Sequence, residues 1–184
     1  MIFKVKNTAV ELHFRFAAVL TFLLLLFPNG NASDCFLLCV LHESGHLAAL
    51  YFFKSPPLGI KFDFFGMKIE TSNKLLSPSR EIICAAAGPF INLIAAGVLY
   101  FFKYTDSAFL SLGLALFNLL PVPVLDGGRI LAVLIKDDKI LRVTGFLTAV
   151  VLLIIGTAVA VYTKRNFTIL VVALYLLFGM FVKA

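Results

Sequence analysis

Long apolar runs separated by short polar breaks dominate this chain. They fall at residues 14–27, 34–53, 82–102, 107–135, 140–162 and 167–182, and a helix needs about 20 predominantly apolar residues to cross a bilayer. The first run is interrupted only by Arg15, and it reads as a retained span ending at Pro28. A cleaved leader would need small residues at a processing site, whereas Asn29-Gly30-Asn31-Ala32-Ser33-Asp34 reads as an exposed turn. The longest and most polar connection covers residues 54–81. Within it, Ile60 to Phe64 and Met67 to Thr71 alternate apolar and polar positions around Phe65-Gly66, which predicts a short interfacial β-hairpin. The pattern therefore predicts an all-α membrane protein of about six transmembrane helices, with a β-hairpin between spans two and three. One polytopic domain would cover residues 1–184, with its catalytic core at about 34–135.

Two spans break the apolar pattern. Span two carries His42-Glu43-Ser44-Gly45-His46, an H-E-x-x-H arrangement. Residues four apart share a helix face, so the two imidazoles stack one turn apart and can grip one metal ion. A carboxylate at the centre of a membrane helix costs about 2.5–3.5 kcal/mol on insertion scales, so such groups line a site or a wet cavity. A polar face packed on other helices and a transporter's proton relay are the competing readings of this stretch alone. Span four cannot be a continuous helix, because Pro121, Pro123, Gly127 and Gly128 interrupt it. Non-helical backbone at membrane depth is tolerated only where protein encloses it or water reaches it, and Asp126 lies on that unwound stretch. Span three contributes Gly88, Pro89 and Asn92. The first two suit close helix approach and a kink, while a buried amide needs a partner. Spans five and six carry no ionisable group in their interiors and read as scaffold.

Composition agrees with this pattern. Of 184 residues, 61% are hydrophobic and 14% charged, and the mean hydropathy is +1.00, which excludes an ordinary soluble domain. The net charge of +6 is scattered among loops and serves as a topology signal; no nucleic-acid partner is indicated. With an inside N-terminus, twelve Lys and Arg residues fall on the inner side and three, Lys103, Lys164 and Arg165, on the outer. Both termini and the hairpin loop are thus expected in the cytoplasm. Cys35, Cys39 and Cys84 form no C-x-x-C pair and read as free thiols. Cys39 shares a helical face with His42, open to packing or to a further ligand role.

His46 precedes the cytoplasmic end of its span by seven residues, about 10 Å, and Asp126 lies about as far before the end of its own. His42, His46 and Asp126 are then candidate ligands of one zinc ion, a set that leaves a fourth position for water. Glu43, beside His42, is placed as the general base that activates that water for attack on a peptide carbonyl. Asn92 is a candidate hydrogen-bond donor to the developing oxyanion, and Asn118 a candidate substrate contact.

His42-Glu43-Ser44-Gly45-His46, then Gly88-Pro89-Phe90-Ile91-Asn92, then Asn118-Leu119-Leu120-Pro121 running to Leu125-Asp126-Gly127-Gly128, together resemble the site-2 protease family of intramembrane zinc metalloproteases. The resemblance covers about residues 34–135. It implies a three-helix catalytic core with His42, His46 and Asp126 on zinc and Glu43 as base. It also implies cleavage of a single-pass or membrane-associated regulatory protein, such as a sigma-factor precursor or an anti-sigma factor, within the bilayer. A regulatory membrane partner and a location in a bacterial cell membrane, with the active site toward the cytoplasm, are further expectations. The small size and early H-E-x-x-H look most like the sporulation-type branch, here without its CBS domain. In the family an interfacial β-segment pairs with unwound substrate, and residues 60–71 are the matching candidate.

A metal or proton transporter would use the same intramembrane His, Asp and Glu residues. It would also need pseudo-symmetric halves, and none is visible. A silent binder of a membrane partner has no use for Glu43.

Overall fold

The computed structural model describes residues 2–5, 8–12, 31–63, 66–71, 77–164 and 168–182. The expected first span, residues 14–27, lies outside these described residues. The chain divides into two compact units, residues 1–115 and 116–184.

The first unit carries a four-stranded sheet of β1 (Ile2–Val5), β2 (Thr8–Leu12), β3 (Pro57–Asp63) and β4 (Gly66–Thr71), in that spatial order. β1 pairs antiparallel with β2, β2 pairs parallel with β3, and β3 pairs antiparallel with β4. The parallel pairing joins Ala9 to Gly59 and Leu12 to Phe62, partners separated by fifty residues of chain. The amino-terminal strands had no counterpart in the sequence reading. Two runs of four and five residues carry too little periodicity to announce themselves, and the partner that completes them is remote.

Among the described residues the sheet is accompanied by α1 (Asn31–Phe52), α2 (Pro78–Phe101) and α3 (Thr105–Asn118), the last running just past the unit's boundary. α1 starts three residues before Asp34, inside the stretch expected to be a turn. Acidic Asp34 then lies in its first turn, where the helix dipole favours a negative charge, and it accepts a hydrogen bond from the Ser107 hydroxyl of α3. α2 begins at Pro78, a residue suited to a first helical turn. It continues unbroken through Pro89 to Phe101. α1 and α2 approach closely because Gly45 has no side chain: a Cβ there would lie 2.6 Å from the Ala87 carbonyl oxygen. Ser111 of α3 donates to the Asn92 carbonyl of α2 at 2.9 Å, in fully buried surroundings.

The second unit contains α4 (Asp126–Ile135), α5 (Asp138–Thr163) and α6 (Thr168–Val182). Residues 119–125 are not helical, as the prolines require. Val122 and Leu125 of that segment are buried with Ala149 of α5 and Leu176 of α6, in a core completed by Phe117, Leu120 and Leu152. The loop is therefore anchored, and so is the helix that follows it. α5 opens on Asp137, whose side chain accepts from the backbone N–H groups of Lys139 and Ile140, satisfying donors that the first turn leaves free.

Ser33–Phe52, Pro78–Phe101 and Asp138–Thr163 are long and apolar enough to cross a membrane. Their outer faces remain apolar: Ile83, Phe90, Ile94 and Val98 on α2 and Val143, Leu147, Val151 and Ile154 on α5 are exposed. Such continuous apolar faces suit lipid and not water. The chain is an integral membrane protein. α1, α2, α4 and α5 are each followed by a lysine with positive φ, namely Lys54, Lys103, Lys136 and Lys164. The left-handed stop is usually glycine. A lysine there at least carries positive charge to the end of the helix that its dipole favours for a cation.

Candidate metal centre

The histidines of α1 are held by α2. His42 and His46 are both buried, 6% and 5% exposed, although α1 also carries exposed side chains such as Leu37, Val40 and Tyr51. The His46 Nδ1–H donates to the Cys84 carbonyl oxygen at 2.7 Å. A carbonyl can only accept, so the proton sits on Nδ1 and Nε2 keeps its lone pair. On the other ring, His42 Nδ1 lies 3.4 Å from the Asn92 side-chain amide nitrogen. The two Nε2 atoms face each other at 3.2 Å.

That separation fits a metal. Two nitrogens bound to zinc at 2.0–2.1 Å in a tetrahedron lie roughly 3.3 Å apart. The space beside them is kept by Gly88, where a Cβ would come 2.3 Å from His46 Nε2 and 2.8 Å from His42 Nε2. Cys84, Gly88 and Asn92 follow one another at four-residue spacing, so one face of α2 touches both rings and leaves a gap between its contacts.

Glu43 is half-buried on α1, next to His42. Asp126 opens α4 and is buried, 7% exposed. The helix dipole favours its carboxylate there, and Arg129 one turn on lies 3.6 Å from its Oδ1. Since Arg129 is half exposed, that pair contributes little. The backbone before Asp126 folds over the start of α4. Leu125 N–H donates to the Val122 carbonyl at 2.9 Å, and Cβ atoms at Gly127 and Gly128 would lie 2.1 Å from the Leu119 carbonyl oxygen and 2.0 Å from that of Val122. The two glycines are thus required by the fold of the loop, beyond their part in a motif. His42 and His46 in the first unit and Asp126 in the second are each buried, and each offers a ligand atom of the kind a metal ion takes. Asn118 ends α3, half-buried, one residue before the unwound segment.

Two contributors escaped sequence reasoning. The Cys84 carbonyl is a backbone group, so no residue type advertises it. Gly88 was legible only as a packing residue, and its role as the gap beside two imidazoles depends on which face of α2 meets α1. The four-residue spacing of 84, 88 and 92 is the one signal that could have pointed there.

Comparison with known proteins agrees with this chemistry. The sequence profile of peptidase family M50 matches residues 104–161. A solved structure of a site-2 protease from Methanocaldococcus jannaschii is similar to the chain, with a TM-score of 0.69 and 25% identity, covering 98% of this chain and 93% of that one. No curated protein matches in sequence.

Proposed function

We propose that this chain is a membrane zinc metalloprotease of the site-2 protease family, peptidase family M50, to which it is similar in profile and structure, and that it cuts a membrane-spanning or membrane-associated regulatory protein within or near the bilayer. The observation that carries the proposal is the pair of buried Nε2 atoms 3.2 Å apart beside a position where no side chain fits. Two imidazole nitrogens turned toward each other in an apolar helix offer a cation two ligands.

In this reading His42 and His46 hold zinc through Nε2, and Asp126 supplies the carboxylate oxygen. When bound, zinc acts as a Lewis acid, which acidifies water and polarises a carbonyl. Glu43 takes the proton from the attacking water and returns it to the leaving amine. Asn118, at the lip of the unwound segment, is proposed to hydrogen-bond the substrate backbone. Asp126 is kept in place by the loop that Val122 and Leu125 anchor. A substrate helix must unwind before its amide is accessible, and the freed N–H and C=O groups then need partners in a medium that offers none. The β3–β4 segment is proposed to supply them by adding a strand to the sheet. The topology proposed is about six crossings, with both termini and the active site toward the cytoplasm, as the lysine and arginine bias implies. Sigma-factor precursors and anti-sigma factors are the substrate class to try first.

The test is cleavage of a co-expressed single-pass substrate, with zinc measured on the purified enzyme. Glu43→Gln is expected to keep zinc and lose about 100- to 10,000-fold in cleavage rate; an unchanged rate removes Glu43 from the mechanism. Asp126→Ala is expected to lose zinc, and full occupancy in that variant removes it from the ligand set.

A further inference from the structure

Asn92 is fully buried, at 0% exposure, on the face of α2 that meets the histidines. Its backbone carbonyl is taken by the Ser111 hydroxyl. Its side-chain nitrogen lies 3.4 Å from His42 Nδ1, while its side-chain oxygen is buried with no hydrogen-bond partner among the described residues. An amide in this orientation donates to Nδ1, which forces the His42 proton onto Nε2. That proton then points along the 3.2 Å line to His46 Nε2, and the pair cannot bind a cation in that state, because ligating imidazole nitrogens must be bare.

The oxygen and nitrogen of an amide share one shape, and exchanging them removes the conflict at His42. The exchange brings Oδ1 to His42 Nδ1, which then carries the proton as donor. Oδ1 gains a partner, the amide N–H groups take the position it held, and Nε2 is freed. His42 would then be held as His46 already is by the Cys84 carbonyl, with an oxygen of α2 accepting from Nδ1–H. The geometry points to Asn92 as a positioning residue: its side-chain oxygen fixes the His42 tautomer that can bind a metal. A ligating histidine commonly gives its other N–H to such an outer acceptor, and removing one lowers metal affinity about 10- to 100-fold. This departs from a role for Asn92 as oxyanion donor, and it rests on the reading of His42 and His46 as zinc ligands.

The test compares wild type, Asn92→Asp and Asn92→Leu. Aspartate keeps the acceptor and cannot donate in its ionised form, whereas leucine keeps the bulk and can do neither. Zinc affinity is measured by competition with a chelator. His42 Nδ1–H is followed by NMR of the zinc-loaded full-length protein labelled with 15N-histidine. The expected result is that Asn92→Asp binds zinc about as well as wild type, and that Asn92→Leu binds it about 10- to 100-fold more weakly. The His42 Nδ1–H should exchange slowly with water in wild type and in Asn92→Asp, and fast in Asn92→Leu.

Wild-type affinity in Asn92→Leu overturns the assignment, as does an equal loss in both variants. Should Asn92→Leu fail to fold, fast Nδ1–H exchange in wild type is sufficient to reject it. A wild-type protein that takes no zinc at all defeats the metal-centre reading instead. In that case the metal-free spectrum still shows whether the His42 proton follows the residue at 92.

Discussion

Two helix pairs in this protein are built by the same device and put to different uses. α1 and α2 close on each other at Gly45, where a Cβ would lie 2.6 Å from a backbone oxygen of α2. α5 and α6 close at Gly156, where it would lie 2.7 Å from the Leu170 backbone nitrogen. In the second pair the buried residues among those described are apolar, such as Ala149, Ala160, Ala173 and Leu176. In the first they include His42, His46 and Asn92, each touching another polar group at hydrogen-bonding distance. Close packing of small residues is a general means of bringing membrane helices together. A site results when one face of the contact carries ligands and the opposite face omits a side chain beside them. Gly88 is that omission.

Gly88→Ala is the strongest way to break the comparison. A methyl group 2.3 Å from His46 Nε2 occupies the place a cation needs. Zinc binding should fall by more than the roughly 100-fold that losing an outer-shell partner produces, with proteolysis lost alongside. Normal metal content in the purified variant would show that the space beside Gly88 is not the metal's. Stripping zinc with a strong chelator should likewise abolish cleavage while leaving helix content by circular dichroism unchanged, since the helices satisfy their own backbone groups in lipid.

A matched pair of substitutions sharpens the contrast. Gly45→Ala and Gly156→Ala each press a methyl onto backbone, and each should destabilise by about 1–3 kcal/mol in a detergent unfolding titration. Only Gly45→Ala should also lower zinc affinity, because the helices it parts are those that aim the imidazoles. An equal loss of zinc in Gly156→Ala would mean that the apolar pair is no mere scaffold. The smallest effect belongs to Gly97→Ala on α2, where a Cβ meets nothing within 4 Å. Stability should stay level or rise by up to about 1 kcal/mol from helix propensity, and zinc content should not move.

Much of this was legible in advance. The apolar runs located α1, α2 and α5 within a few residues, because a membrane span announces itself through length and composition alone. The interruption of span four at residues 119–125 followed from Pro121 and Pro123, whose rings are incompatible with a continuing helix. The placement of α1's start was less legible. Asn31 to Asp34 favour turns and helix first turns alike, and Ser107 of α3 supplies a partner for Asp34 that no local pattern contains.

By itself the sequence determined which side chains are polar in an apolar setting, which pairs share a helical face, and where the backbone must unwind. These are properties of neighbours within a turn or two, and helical geometry converts spacing directly into position. Only the tertiary structure decided that a carbonyl at residue 84 orients His46, that residue 88 leaves the gap, and that residue 92 meets His42. Those contacts span 38 to 50 residues and depend on the angle and depth at which α2 crosses α1. Close approach at Gly45 selects that crossing, and no periodicity in either helix encodes it.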